Sequence, residues 1–170
     1  MGRSALWTAS CAGHIAVVEL LLAAGANIHQ RTINGVAPLS AAAQNGHTEV
    51  VQQLLDAGAP VDDVGHNGCS ALSMAAIDGH VDTVRRLIDA YANINLEAAV
   101  IETPLYMAAQ NGHASVVQLL IDAGAIVNCR RPRDEVTPLF AAAHNGHQGV
   151  IRLLLDAGAD VHLTTRPSPV

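Results

Sequence analysis

Nine histidines are the residues of this chain best suited to chemistry. Five of them, His14, His47, His80, His113 and His147, each follow a glycine, forming a ladder with steps of 33, 33, 33 and 34 residues. Imidazole is the commonest metal ligand and a proton carrier near neutral pH. The spacing nevertheless excludes a shared metal: rungs on successive packed helices stand about 8 to 10 Å apart, whereas each ligand to a zinc ion lies about 2 Å from it. His144 and His147 are closer in sequence, but they flank the helix-ending pair Asn145-Gly146 and have no cysteine nearby. No metal or other cofactor is expected.

Covalent chemistry finds no better footing. No serine sits in a strand-turn-helix elbow, no glycine loop has the spacing that cradles phosphate, and no Cys-His pair is brought together by the repeat. Carboxylates recur at equivalent positions, which duplication explains, and the chain is not expected to be an enzyme.

The elements that carry the ladder recur with it. Residues 103–128 read TPLYMAAQNGHASVVQLLIDAGAIVN, and residues 4–29, 37–62, 70–95 and 137–162 share their apolar positions, alanine pairs and Gly-His step. Self-similarity at about 33 residues is the signature of stacked repeats that contact only their neighbours. The Thr-Pro-Leu starts at Thr103 and Thr137, the alanine pair four residues on and the closing Leu-Leu-x-x-Gly-Ala together resemble the ankyrin repeat. That resemblance implies an all-α repeat solenoid of paired antiparallel helices with β-turn or hairpin fingers. One domain over 1–162 is expected, with repeats near 1–29, 30–62, 63–95, 96–128 and 129–162, and a disordered tail at 163–170. The first repeat lacks its leading turn, which suggests a piece of a longer protein.

Half of the 170 residues are apolar, yet only Trp7, Tyr91, Tyr106 and Phe140 are aromatic, so the core must be built from Ala, Val, Leu and Ile. The nine basic residues are all Arg, and the net charge of −6 disfavours binding to nucleic acid. Cys11, Cys69 and Cys129 are odd in number and scattered, as expected for a reducing compartment. No apolar run has the roughly 18 residues of a membrane span, and no signal peptide opens the chain. A soluble, cytoplasmic monomer without membrane insertion is expected.

Ser4, Ser70, Thr103 and Thr137 are placed to cap the first helix of a repeat. Ala37 takes that position in the second repeat, whose helix should be less well anchored. Gly13, Gly46, Gly79, Gly112 and Gly146 are placed to end these helices in the left-handed conformation. The second helices carry the apolar stripe, as in Val50, Val51, Leu54 and Leu55, and end at Gly25, Gly58, Gly124 and Gly158, with Tyr91 in the third copy. Tyr91 signals either strain or a different exit. Asp56, Asp89, Asp122 and Asp156 crowd the negative ends of these helices; Arg85 and Arg152, four residues earlier, are placed to offset two of them. Asn34-Gly35 and Asn67-Gly68 mark tight finger turns, while the tips at 98–101 and 130–135 lack a glycine.

The resemblance further implies that the ladder histidine bonds to backbone and ties loops together. The histidine that usually closes Thr-Pro-Leu-His is replaced by Trp7, Ser40, Ser73, Tyr106 and Phe140, expected to fill space between repeats, with Tyr106 and Phe140 alternatively serving as partner anchors. The resemblance implies a module that binds a protein or peptide partner through a concave strip of fingers and first helices. Carried over by position, the strip comprises Ile33, Asn34, Val36, Gln44 and Asn45; His66, Asn67, Cys69, Ile77 and Asp78; Ala99, Val100, Glu102, Gln110 and Asn111; and Arg133, Asp134, Val136, His144 and Asn145. Its centre is expected at the finger 98–102 with Gln110 and Asn111. The alternatives are a structural spacer without a dedicated partner, or a substrate of asparaginyl hydroxylation at Asn95 and Asn128.

Overall fold

The computed structural model describes residues 2–66, 68–96, 103–131 and 133–165. The described residues form ten α-helices and no strand: α1 (Ala5–Ala12), α2 (Ile15–Ala23), α3 (Pro38–Gln44), α4 (Thr48–Asp56), α5 (Ala71–Ile77), α6 (Val81–Asp89), α7 (Pro104–Asn111), α8 (Ala114–Asp122), α9 (Pro138–His144) and α10 (Gln148–Asp156). The odd-numbered helices pack side by side as an inner row and the even-numbered ones as an outer row. Each inner helix also packs on the outer helix that follows it.

Local chemistry sets these boundaries. The hydroxyls of Ser4, Ser70, Thr103 and Thr137 accept from the backbone N–H groups of Trp7, Ser73, Tyr106 and Phe140, whereas Ala37 gives α3 no side-chain cap. At the far end of α3, His47 N–H donates to the Ala42 carbonyl at 3.0 Å and Gly46 N–H to Ala43 at 3.2 Å. This pairing requires Gly46 at φ +71°. His47, at φ −82° and ψ 73°, then turns the chain sharply into α4, with Thr48 N–H donating to the Gly46 carbonyl.

The ladder histidines join one repeat to the one before it. Nε2 of His47, His80, His113 and His147 lies 3.1, 2.9, 2.8 and 2.9 Å from the backbone oxygens of Cys11, Gln44, Ile77 and Gln110. Those carbonyls belong to the last turn of the preceding inner helix, where no helical N–H is left to satisfy them. Each ring also lies over the preceding helix-ending glycine: a Cβ on Gly46 would stand 2.7 Å from Nδ1 of His80. Glycine is therefore needed at Gly46 for its backbone angle and again for this approach.

Small residues close the inner row. Ala42, Ala43, Ala75, Ala76, Ala108 and Ala109 have no exposed surface, and neither do Leu54, Leu87, Leu120 and Leu154 between the rows. Burying one such leucine stabilises by about 1.5 to 3 kcal/mol. Thr83 stands where other copies carry Val50, Val116 and Val150; its buried hydroxyl is satisfied by Thr48 Oγ1 at 2.8 Å.

The outer helices end largely as the sequence predicts. Tyr91 occupies the left-handed region at φ 62° and its side chain is 91% exposed, so the ring contributes no packing to offset the strain. The pairs expected between Arg85 and Asp89 and between Arg152 and Asp156 do not form among the described residues. On the two helices with glutamine at the arginine's place, Gln52 donates to Asp56 at 2.5 Å and Gln118 to Asp122 at 2.7 Å. An exposed ion pair gains little against the entropy of holding two long side chains. In the first finger Thr32 N–H donates to Val36 and Gly35 N–H to Thr32, a three-residue turn closed by a left-handed glycine; Gly65, Gly68 and Cys69 repeat it. The finger at 97–102 lies outside the described residues. In the last finger Glu135, at φ 59°, takes the glycine's part, its N–H donating to Arg131.

Two substitutions check this account. Ala37→Thr should raise stability by about 1 kcal/mol, since Thr103 and Thr137 fit equally buried sites; an unchanged urea midpoint would mean that the hydroxyl does not reach the N–H of Ser40. Tyr91→Gly should add up to about 1 kcal/mol by removing left-handed strain, and a lower midpoint would show that the ring is packed.

Candidate functional site

The strip of fingers and inner-helix ends is assembled from side chains with different freedom. Ile33, 75% exposed, and Asn34 stand at the first tip, and His66 is exposed at the second. Arg31 fastens these two fingers together: Nη1 donates to the Val64 carbonyl at 2.6 Å and the guanidinium pairs with Asp63. Asn67, Ala99, Val100 and Glu102 lie outside the described residues, and with them most of the expected centre of the strip.

Along the inner-helix ends, Gln44, Asn45, Asp78, Asn111, His144 and Asn145 are exposed, and Val36, Ile77 and Gln110 are half-buried. The asparagines have a local task. Nδ2 of Asn45, Asn111 and Asn145 donates to the carbonyls of Ala41, Met107 and Ala141 at 2.8, 2.8 and 2.9 Å. The amide nitrogen thus answers a carbonyl of the helix it ends. Asp78, whose side chain has no N–H, closes its helix only through its backbone N–H, which donates to the Met74 carbonyl.

Two expected contact residues are corrected by burial. Cys69 is 3% and Val136 7% exposed. Residues at the base of a finger turn inward against the helix start, so these two support the strip rather than present a free surface. Arg133 is exposed, whereas Asp134 is half-buried and held by Arg131. The hydrogen bond from Arg131 keeps the Asp134 carboxyl below its ordinary range, against the opposing effect of desolvation. A depressed carboxylate pKa stabilises the finger above the ordinary carboxylate range and ceases to do so as pH falls through the lowered value.

At the inner surface of the last two repeats these residues enclose a cleft of about 230 Å³, lined by Tyr106, Gln110, Arg131, Val136, Phe140, Ala141, His144 and Asn145. Tyr106 is 3% exposed and packs with Val136 and Ala141, so it fills space between repeats and forms the floor. The Arg131 guanidinium lies 5.3 Å from the centre of its ring. Phe140 is 44% exposed and lies parallel to His144 with ring centres 6.4 Å apart. One wall is therefore a stacked ring pair, facing a cation held over an aromatic floor. Arg131 is absent from the sequence-derived strip; it stands 25 residues from Tyr106, and no local spacing announces their contact.

Two further hollows flank this face and the outer row. One, of about 210 Å³, lies between Trp7 and the first finger, with Arg3 stacked 4.7 Å from the Trp7 ring centre. The other is a charged groove between α4 and α6, lined by Glu49, Asp82, Arg85, Arg86 and Asp89 among others. Among the described residues no group of three or more His, Cys, Asp and Glu is placed to hold a metal. Asn95 and Asn128 serve as ties between repeats. Oδ1 accepts from the N–H of Ile126 or Asp160 at 2.8 and 2.9 Å, and Nδ2 donates to Gly124 or Gly158 at 3.2 Å.

No helix among the described residues is long and apolar enough to cross a membrane. No curated protein matches the chain. The family model for ankyrin repeats in three copies matches residues 6–98 and 99–165. That match spans nearly the whole sequence, over paired helices interlocked by their Gly-His steps, and the chain belongs to the ankyrin-repeat family.

Proposed function

We propose that this chain is a binding module for a protein or peptide partner inside the cell, and that its principal contact is the cleft between the fourth and fifth repeats. Ankyrin repeats are generally protein-interaction modules. The observation that carries the reading for this chain is the half-exposed Phe140 stacked on His144 beside the Arg131–Tyr106 pair. Aromatic and arginine side chains dominate binding hot spots: the aromatics bury large surfaces with few rotatable bonds, and the guanidinium brings a planar set of donors. In a chain with four aromatic residues, leaving a phenylalanine 44% exposed in a cleft is a costly arrangement unless something covers it. The exposed amides of Gln44, Asn45, Asn111 and Asn145 extend the contact along the strip, suited to the backbone of a peptide or loop. The net charge of −6 argues against phosphate-rich partners.

Quantitative affinity capture from cell extract tests this, with Phe140→Ala and the distant Gln52→Ala compared with the unaltered chain. A partner should be recovered whose affinity falls by more than about 1 kcal/mol with Phe140→Ala, while Gln52→Ala and the melting temperature leave recovery unchanged. Equal recovery by all three chains, or a loss that only tracks reduced melting, contradicts the proposed site.

A further inference from the structure

Five asparagines, Asn34, Asn45, Asn67, Asn111 and Asn145, are each followed by a glycine. Such a step can react with itself. The glycine nitrogen and the asparagine Cγ are the two ends of a five-membered ring, so carrying both on one chain gives the attack a high effective concentration, and glycine brings no Cβ to obstruct it. The fold decides which steps are free to close that ring. Asn67 lies outside the described residues; the other four are of two kinds.

Three of the steps are held. Nδ2 of Asn45, Asn111 and Asn145 donates to the carbonyl four residues earlier, which fixes each carboxamide against its own helix. The nitrogen that would attack is committed as well: Gly46, Gly112 and Gly146 donate to Ala43, Ala109 and Ala143 in the last helical turn. Freeing it means unwinding a helix end that the next N–H, of His47, His113 or His147, also closes. Asn34 differs. It is exposed at a finger tip, and its side chain makes no hydrogen bond among the described residues. The Gly35 N–H does donate to Thr32 at 2.8 Å, but this is a single turn bond in a tip whose Ile33 is 75% exposed. His66 covers Gly35, yet its ring is exposed and makes no hydrogen bond among the described residues, unlike the rings of His80 and His147 over Gly46 and Gly112, which are tied to carbonyls. Openings confined to a loop cost far less than openings of packed helices.

We propose that Asn34 is a modification site, converted spontaneously to aspartate and isoaspartate with water as the co-reactant. The Gly35 nitrogen bonds to Asn34 Cγ, the Cγ–Nδ2 bond breaks, and Nδ2 leaves as ammonia with the Gly35 proton, giving a cyclic imide. Water then adds to one imide carbonyl and that carbonyl's bond to the Gly35 nitrogen breaks, the nitrogen regaining a proton. Addition at Cγ yields aspartate; addition at the backbone carbonyl yields isoaspartate, with the chain rerouted through Cβ. Nothing is oxidised or reduced. Either product puts a negative charge into the hollow that Asn34 shares with Arg3 and Trp7, and isoaspartate adds a backbone carbon inside the turn that pairs Thr32 with Val36. The effect of this charge on a partner rests on the binding role proposed above, whereas the reaction itself does not.

Peptide mapping by mass spectrometry, on the full chain incubated in mildly alkaline buffer, tests it. In the folded chain Asn34 should turn to acid several-fold faster than Asn45, Asn111 and Asn145, as a mixture of aspartate and isoaspartate. In concentrated urea the four rates should converge, because the fold alone separates them. No partner enters the measurement, so failure of the proposed binding site would leave its outcome unchanged. Equal rates at the four sites in the folded chain, a helix-end site faster than Asn34, an unchanged order of rates in urea, or a product at Asn34 that is aspartate alone would overturn the proposal.

Discussion

A single steric and hydrogen-bonding arrangement sets the geometry of this molecule: a histidine ring laid over the glycine that ends the preceding inner helix. Each ring satisfies a carbonyl of that helix's last turn, which would otherwise require water. The approach is possible only because no Cβ stands on the glycine, and the same glycine supplies the left-handed angle that ends the helix. Helix termination and the joining of repeats therefore depend on the same residue pair. The alanine pairs follow from this, because a ring that draws adjacent inner helices together leaves room between them for little more than a methyl group.

This division frees the surface to vary. With inter-repeat order held by Gly-His steps, buried alanines and the Asn95 and Asn128 ties, the fingers and inner-helix ends carry no common structural duty beyond their caps and turns. They are also where the copies differ most: Gln44, Ile77, Gln110 and His144 occupy one place in successive repeats, and Trp7, Ser40, Ser73, Tyr106 and Phe140 another. A rigid scaffold with variable residues on one face suits recognition, because little ordering entropy remains to be lost when a partner binds.

The parts of the fold that repeat were legible in the sequence, and those that depend on a single copy were less so. The Gly-His ladder, the missing cap at Ala37 and the break at Tyr91 are each visible as agreement with, or departure from, the other repeats; the structure has the first two as expected and, of the two exits open to Tyr91, takes the left-handed one. Glu135 in the left-handed region was not legible, because the extra residue in that finger removes the register by which a glycine would be sought. The inward turn of Cys69 and Val136 was missed because family position specifies a place on the finger but not the direction of its side chain. The cleft was legible only in part: Phe140 and His144 are four apart on one helix and predictably adjacent, but Arg131 reaches Tyr106 through the particular shape of one finger. At the acidic helix ends Gln52 and Gln118 answer Asp56 and Asp122, while the spacing of Arg85 from Asp89 and of Arg152 from Asp156 is not followed by a pair among the described residues.

The dependence of the stack on its interlock is tested most directly by a double-mutant cycle on Gly46 and His80, followed by urea unfolding. Gly46→Ala should cost more than the roughly 1 to 2 kcal/mol of left-handed strain, because the new methyl group also displaces the His80 ring from its carbonyl. With His80→Ala already in place that excess should vanish, leaving a coupling of at least about 0.5 kcal/mol between the two sites. Costs that simply add would show that the ring and the glycine act independently, contradicting the account of how one repeat is joined to the next.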